Sequence, residues 1–346
     1  MSNNSLKITL LALACMMMVV PANAGINLSG YGELGSGIGT SASSTYYCFG
    51  SSDASCGSSG VHSSNTPWDL AGSLHLSTVV DTGVNLQLDV EGKNVRESPS
   101  PDDYFNYDKA TTYGVGIHLD ATIDEFRVGE LISIGNANGA FFNNRLVSAG
   151  MEGAWLLNRT TLFSQLIYSH AVQGDFSDSG LNSLYLYTGA RYFLSDNLMF
   201  EADAGAGTIE STRLQSMAAG TNYNGHAAQW SAKAEYRFSD LPVSLLFNYQ
   251  GSYSTWRSFN AAWVPIPCGH GRLDYYSTTG TMRRTENLFM LSLHYYFGQD
   301  SLIANDRNGA GMNDYNPWYG AESVISASQP SLVVPAYASS ADPGYC

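Results

Sequence analysis

Charge is what this sequence has least of. Only 13% of its 346 residues are Asp, Glu, Lys or Arg, well under the quarter usual in soluble domains. An ordinary water-exposed globular surface needs more. Basic residues are the scarcer kind, with 16 Lys and Arg against 30 Asp and Glu, for a formal net charge of −14. That deficit argues against a nucleic-acid partner, whose phosphates need basic patches. Long apolar runs are missing after residue 25, which argues against spanning helices. The helical period of 3.6 is missing as well; apolar residues recur at every second position.

What is present begins with an export signal. Lys7 precedes the apolar run "ITLLALACMMMVV", and "PANA" places small residues at Ala22 and Ala24 before Gly25. This is the layout of a signal peptide over 1–24, and the run is too short for a membrane anchor. The "ALAC" ending at Cys15 invites a lipoprotein reading, but the apolar run continues past that cysteine. Export puts Cys48, Cys56, Cys268 and Cys346 in an oxidising compartment. Cys48 and Cys56 share one Ser/Gly-rich stretch and most simply form a loop disulfide.

The clearest strand is "GVNLQLDVEGK", 83–93. Val84, Leu86, Leu88 and Val90 fall on one face, and Asn85, Gln87, Asp89, Glu91 and Lys93 on the other. Segments of this kind are expected at 26–36, 67–80, 83–95, 110–120, 124–134, 146–157, 160–171, 183–194, 197–209, 228–239, 242–254 and 286–298. Many are longer than the strands of a soluble sandwich and long enough to cross a bilayer when tilted. Their connections alternate. Short turns fall at Asp81–Gly83, Asp120–Ile123, Asn158–Arg159, Ser195–Asn197 and Ser239–Leu241. Long polar loops are expected at 37–66, 96–109, 135–145, 172–182, 210–227 and 255–285. Aromatics at strand ends suit two interfacial girdles: Tyr31, Trp68, Tyr113, Trp155, Tyr192, Trp230, Tyr236, Phe238, Tyr249 and Tyr295.

The last strand, "NLFMLSLHYYFG", presents Phe289, Leu291, Leu293, Tyr295 and Phe297 on one face. With the signal peptide, the alternation and the loop asymmetry, it makes residues 1–298 resemble Gram-negative outer-membrane β-barrels of the porin-like kind. The resemblance implies an all-β, transmembrane antiparallel barrel of about twelve strands, with short periplasmic turns and long extracellular loops. It implies residence in the outer-membrane bilayer and recognition of that last strand by the barrel-assembly machinery. A barrel over 25–298 leaves 299–346 as an irregular tail. Barrels of this kind usually end at the closing aromatic, so the tail departs from the pattern. It is expected to lie in the periplasm or to fold back into the lumen, with "NDYNPWYG", 313–320, its most ordered-looking piece.

Alternation sends Glu33, Asp69, Asp89, Glu91, Lys93, Asp120, Glu125, Arg127, Glu152, Arg191, Glu201, Asp203, Lys233, Glu235 and Arg237 inward. Carboxylates predominate, and an acidic lining favours cations. The expected function is passive diffusion of small solutes or ions through a mildly cation-preferring channel. The alternative is a non-conducting adhesin or structural barrel, binding a partner through loops 37–66 and 255–285. The latter loop carries Trp256, Trp263, Tyr275 and Tyr276. Homo-oligomerisation stays open. Two placements are uneasy. Glu130 falls on the lipid side unless a bulge near Gly129 turns it inward, and 160–171 does not divide its faces cleanly.

No catalysis, metal or cofactor is expected. His75-Leu76-Ser77 has the His-x-Ser spacing of lipolytic barrels, but alternation turns it toward the lumen, away from lipid. A paired protease constellation is not evident among His62, His226 and His270. Cys268-Gly-His270 with His62, Cys48 and Cys56 matches no regular zinc spacing. Gly30-Tyr-Gly32-Glu-Leu-Gly35 spells GxGxxG, but inside a strand, where glycines make room for aromatics rather than bind a dinucleotide. A Cys268–Cys346 bond would require the tail to thread the lumen.

Overall fold

The computed structural model describes residues 28–50, 59–81, 83–97, 110–138, 143–174, 182–215, 219–265 and 273–312. The leader, Cys56, Cys268, Cys346 and segment 313–320 lie outside the described residues, so the expectations placed on them do too.

Thirteen strands form one antiparallel sheet. They are β1 (Leu28–Gly50), β2 (Ser59–Asn65), β3 (Pro67–Asp81), β4 (Val84–Glu97), β5 (Ala110–Ile123), β6 (Phe126–Asn138) and β7 (Asn143–Leu156). Then come β8 (Thr160–Gly174), β9 (Asn182–Ser195), β10 (Leu198–Gln215), β11 (Ala219–Arg237), β12 (Val243–Pro265) and β13 (Leu273–Phe297). Each barrel strand pairs with the next, and β13 closes on β1 from Gly30↔Phe297 to Gly50↔Ser277. Strand β2 is an addition that pairs with β1, so the closed barrel has twelve strands, β1 and β3–β13. Closure removes the sheet edge, which a backbone in hydrocarbon cannot leave unpaired.

The period-two pattern becomes two environments. Outward positions form an exposed apolar belt: Leu119 at 53% exposure, Ile132 at 63% and Met151 at 68%, with Leu186, Phe247, Leu291 and Leu293 around the wall. Polar side chains fill the inside: Gln87 is 0% exposed and His118 1%. A soluble protein buries the apolar set. This inverted arrangement belongs to a barrel whose solvent is lipid. Trp68, Tyr113, Trp155, Tyr192, Trp230, Tyr236, Phe238 and Tyr295 all stand outward, as girdle residues should. Tyr31 is the exception. It is buried in the lumen, stacked 4.5 Å from the His75 ring and 5.1 Å from His294. Alternation had already paired it with inward Glu33; its aromatic character misdirected the assignment.

Several strands outrun the expected boundaries. β1, β12 and β13 take in much of 37–50, 255–265 and 273–285, which were expected as loop. The apolar alternation stops there while the backbone ladder continues. A hydropathy pattern cannot see such extensions. With β2 they make a sheet that rises from one side of the barrel on the long-loop end.

No bulge interrupts β6. Its ladders to β5 and β7 run without a register shift, so Glu130 stays on the outer face. Glu125 does not point inward either; it lies exposed at the β5–β6 turn and accepts from Trp155 Nε1 at 3.3 Å. Strand β8 does choose its faces. Thr161, Phe163, Gln165, Ile167, Ser169 and Ala171 are buried inside, a mixed set that the alternation could not sort. Ile167 joins Leu131 and Leu146, from neighbouring walls, as fully buried apolar side chains.

Candidate functional site

The site is the lumen and what occupies it. After Phe297 the chain turns back. Gly298 has φ +79°, and a Cβ there would stand 2.6 Å from the Leu28 carbonyl oxygen, so the reversal needs glycine. A helix, α1 (Leu302–Asn308), follows, with Ser301 as N-cap accepting from Ala304 N at 3.1 Å. The helix lies inside the short-turn end of the barrel. Leu302 and Ala310 join Tyr31, Phe193, Met199 and Tyr296 in one buried cluster.

Polar contacts hold the segment more specifically. Asp306 takes Arg191 at 2.8 Å and the Thr161 hydroxyl at 2.6 Å. Arg127 donates to the carbonyls of Asp306 (3.2 Å) and Arg307 (2.6 Å), two of the orphan acceptors at a helix C-terminus. Arg307 reaches out to Thr161 Oγ1 (2.8 Å) and to the Thr160 carbonyl (3.2 Å). Arg237 donates to the Gln299 carbonyl at 2.7 Å, and Arg191 to that of Gly311 at 2.7 Å. Gln87 bonds both backbone groups of Met312, N at 3.2 Å and O at 3.3 Å, as a strand neighbour would.

Around this segment the wall side chains form linked chains. His118 sits between two carboxylates, Nε2 2.8 Å from Asp89 and Nδ1 2.9 Å from Glu152. Both ring nitrogens are placed to donate. Gln165 donates to Glu152, and Gln87 to Asp89. His294 lies 2.9 Å from Glu235 and 3.4 Å from Glu33, while Tyr296 donates to Glu235 at 2.7 Å. Glu201 holds Arg191 (2.5 Å) and Lys233 (2.7 Å). Lys233 also lies 4.0 Å from Asp203, and Arg127 3.4 Å from Asp120. Farther up, Lys93 pairs with Asp69 at 3.0 Å, and Arg284 with Glu286. The remaining sequence candidate, Glu91, faces inward beside Ser73 in the β3–β4 register. Asp69, Asp89, Glu152 and the other charged candidates named from the alternation thus share one lumen, Glu125 excepted.

Ser73 was not singled out by sequence. It gives Ser73 Oγ–His75 Nε2 at 2.8 Å and His75 Nδ1–Asp89 at 2.9 Å, the order of a hydrolytic triad. The serine of the His-x-Ser pair, Ser77, instead donates to Asn85 at 2.6 Å. The register flanks Ser73 with Glu33 on one strand and Glu91 on the other. An oxyanion forming there would meet carboxylates where acyl transfer needs donors. The trio serves as one link of the lumen's hydrogen-bond chain.

No family model matches the chain, and no curated protein matches it. Solved structures of similar shape are outer-membrane proteins. One is an outer membrane channel from Pseudomonas putida F1, 11% identical, covering 81% of this chain and 100% of that one at a TM-score of 0.44. Another is the NanC porin, 10% identical, covering 73% and 98% at 0.40. A third is the outer membrane protease OmpT from Escherichia coli, 6% identical, covering 80% and 99% at 0.34. The fold, a closed antiparallel barrel of twelve strands, rests on the sheet itself. Likeness at these identities and superpositions says nothing further about the lumen.

Proposed function

We propose that this protein is a channel of the Gram-negative outer membrane. It admits small solutes passively, with a preference for cations, and its tail from Gln299 to Met312 is the plug that closes it. The export signal and the lipid-facing belt support the location. The excess of carboxylates lining the lumen supports the preference. The observation that carries the reading is the docking of α1 in the lumen. It is tied by side chains from β4, β6, β8, β9 and β11. The exposed face of β13, from Phe289 to Phe297, supports handling by the barrel-assembly machinery. The experiment is planar-bilayer conductance of the mature chain beside a version ending after Gln299. Larger and more frequent cation-selective steps from the truncated form support the reading. Silence from both, with the barrel folded, removes it.

One observation favours a second reading. The sheet of β1, β2, β12 and β13 continues well past the belt, and a raised surface of that kind suits contact with a partner outside the cell. Silence from both forms would turn the assignment toward this surface.

A further inference from the structure

Glu130 breaks the outer belt. On its own strand it lies between Val128 and Ile132, and across the ladders it faces Leu119 and Met151. All four are exposed apolar side chains. Outward residues of β6 run Phe126, Val128, Glu130, Ile132, Ile134, so Glu130 is the middle one. Phe126 stacks on Trp155 in the girdle at one end, and Tyr113 stands across from Asn136 at the other. A carboxyl at mid-belt on a lipid-facing wall is costly and calls for a partner.

Among the described outward residues, none supplies a partner at that level: Arg96, Arg145 and Arg283 sit near the long-loop end and Arg159 in a turn. The nearby outward hydroxyls are engaged, Ser164 with the Tyr187 carbonyl (3.2 Å) and Thr188 with that of Phe163 (2.9 Å). The partner must come from outside, and the membrane restricts which. Copies of a membrane protein are related by rotation about the bilayer normal, so every residue keeps its depth. In a two-fold contact the same patch meets itself, and Glu130 of one copy arrives at the level of Glu130 of the other. Other described walls of a second copy offer it mainly apolar side chains, Leu186, Phe247 and Leu291 among them. Two carboxyl groups in a dry contact can satisfy one another, one donating its O–H and the other accepting it. Ala121, Ala149 and Gly153, the small outward residues diagonal to Glu130, leave room for the walls to approach.

We propose that the wall formed by β5, β6 and β7 is the interface of a two-fold dimer of this chain, in which the two Glu130 carboxyls hydrogen-bond to each other. The proposal rests on the membrane reading, but not on whether the barrel conducts.

The test uses the full mature chain carrying Met151→Cys, inserted in lipid vesicles and treated with a short bismaleimide, with the linked peptides mapped by mass spectrometry. Mapping separates this link from any made by the natural cysteines. The expected result is a 151–151 link. It should persist with Glu130→Gln, which can still pair, and fall about tenfold or more with Glu130→Leu. Glu130→Leu suits a lipid-facing site and should fold, as heat-modifiable migration would verify. A folded, inserted protein without the 151–151 link overturns the proposal. So does a link whose yield is unchanged by Glu130→Leu. Failure to enter vesicles at all would instead count against the membrane reading.

Discussion

Asp306, on the returning tail, meets Arg191, on the barrel wall, at 2.8 Å inside the lumen. The pair joins residues 115 positions apart and ties the returning tail to strand β9. The wall partner also holds Glu201, so the tail docks onto a charge arrangement that exists without it.

Asp306→Asn should therefore loosen the plug while leaving the barrel closed. Its hydrogen bond with Thr161 can survive as the ion pair weakens. Conductance traces should show open events several-fold more often than in the native protein. A double-mutant cycle with Arg191→Met should give a coupling of about 1–3 kcal/mol. Additive effects would separate the two residues.

His118→Leu should destabilise the barrel wall itself. The imidazole stands between Asp89 and Glu152, and its loss leaves two buried carboxyls short of a donor. Breaking a buried ionic contact from one side costs on the order of 3–5 kcal/mol. Urea unfolding in detergent should show a lower midpoint with little change in slope.

Gly298→Val should release the tail without opening the barrel seam. The position combines φ +79° with a neighbour that leaves no room for Cβ. Limited proteolysis should then cut between Gln299 and Met312 at a rate at least several-fold faster, the hallmark of a segment that opens locally. Unchanged resistance would show that the reversal tolerates a side chain.

Asp69→Asn should shift the selectivity of the opened channel toward anions, because it leaves the Lys93 ammonium without its 3.0 Å partner. The reversal potential of the truncated protein under a salt gradient measures this directly. A potential that does not move would place the selective constriction elsewhere in the lumen.

Much of the wall was legible beforehand because one physical rule governs it. Lipid outside and polar neighbours inside impose a period of two, as at Val84–Lys93, and twelve strands with short turns between them follow from reading that period. The rule fails wherever the two faces stop differing. It missed the upper parts of β1, β12 and β13, where the ladder continues without apolar alternation. It left β8 undecided because Phe163 and Ile167 pack inside among polar neighbours. It suggested a bulge for Glu130, where the backbone runs straight.

The sequence by itself determined a barrel and its strand number. Local alternation carries that information, since each residue reports only which solvent its own side meets. Only the tertiary structure decided that Asp306 returns to Arg191, that His75 takes Ser73 and not Ser77, and that Tyr31 stacks inside. Ser73 and His75 are neighbours on one face of β3; the other pairings join residues from separate strands, or from the tail to the wall. They follow from register and closure, which bring distant positions to one depth, and no periodicity along the chain records them.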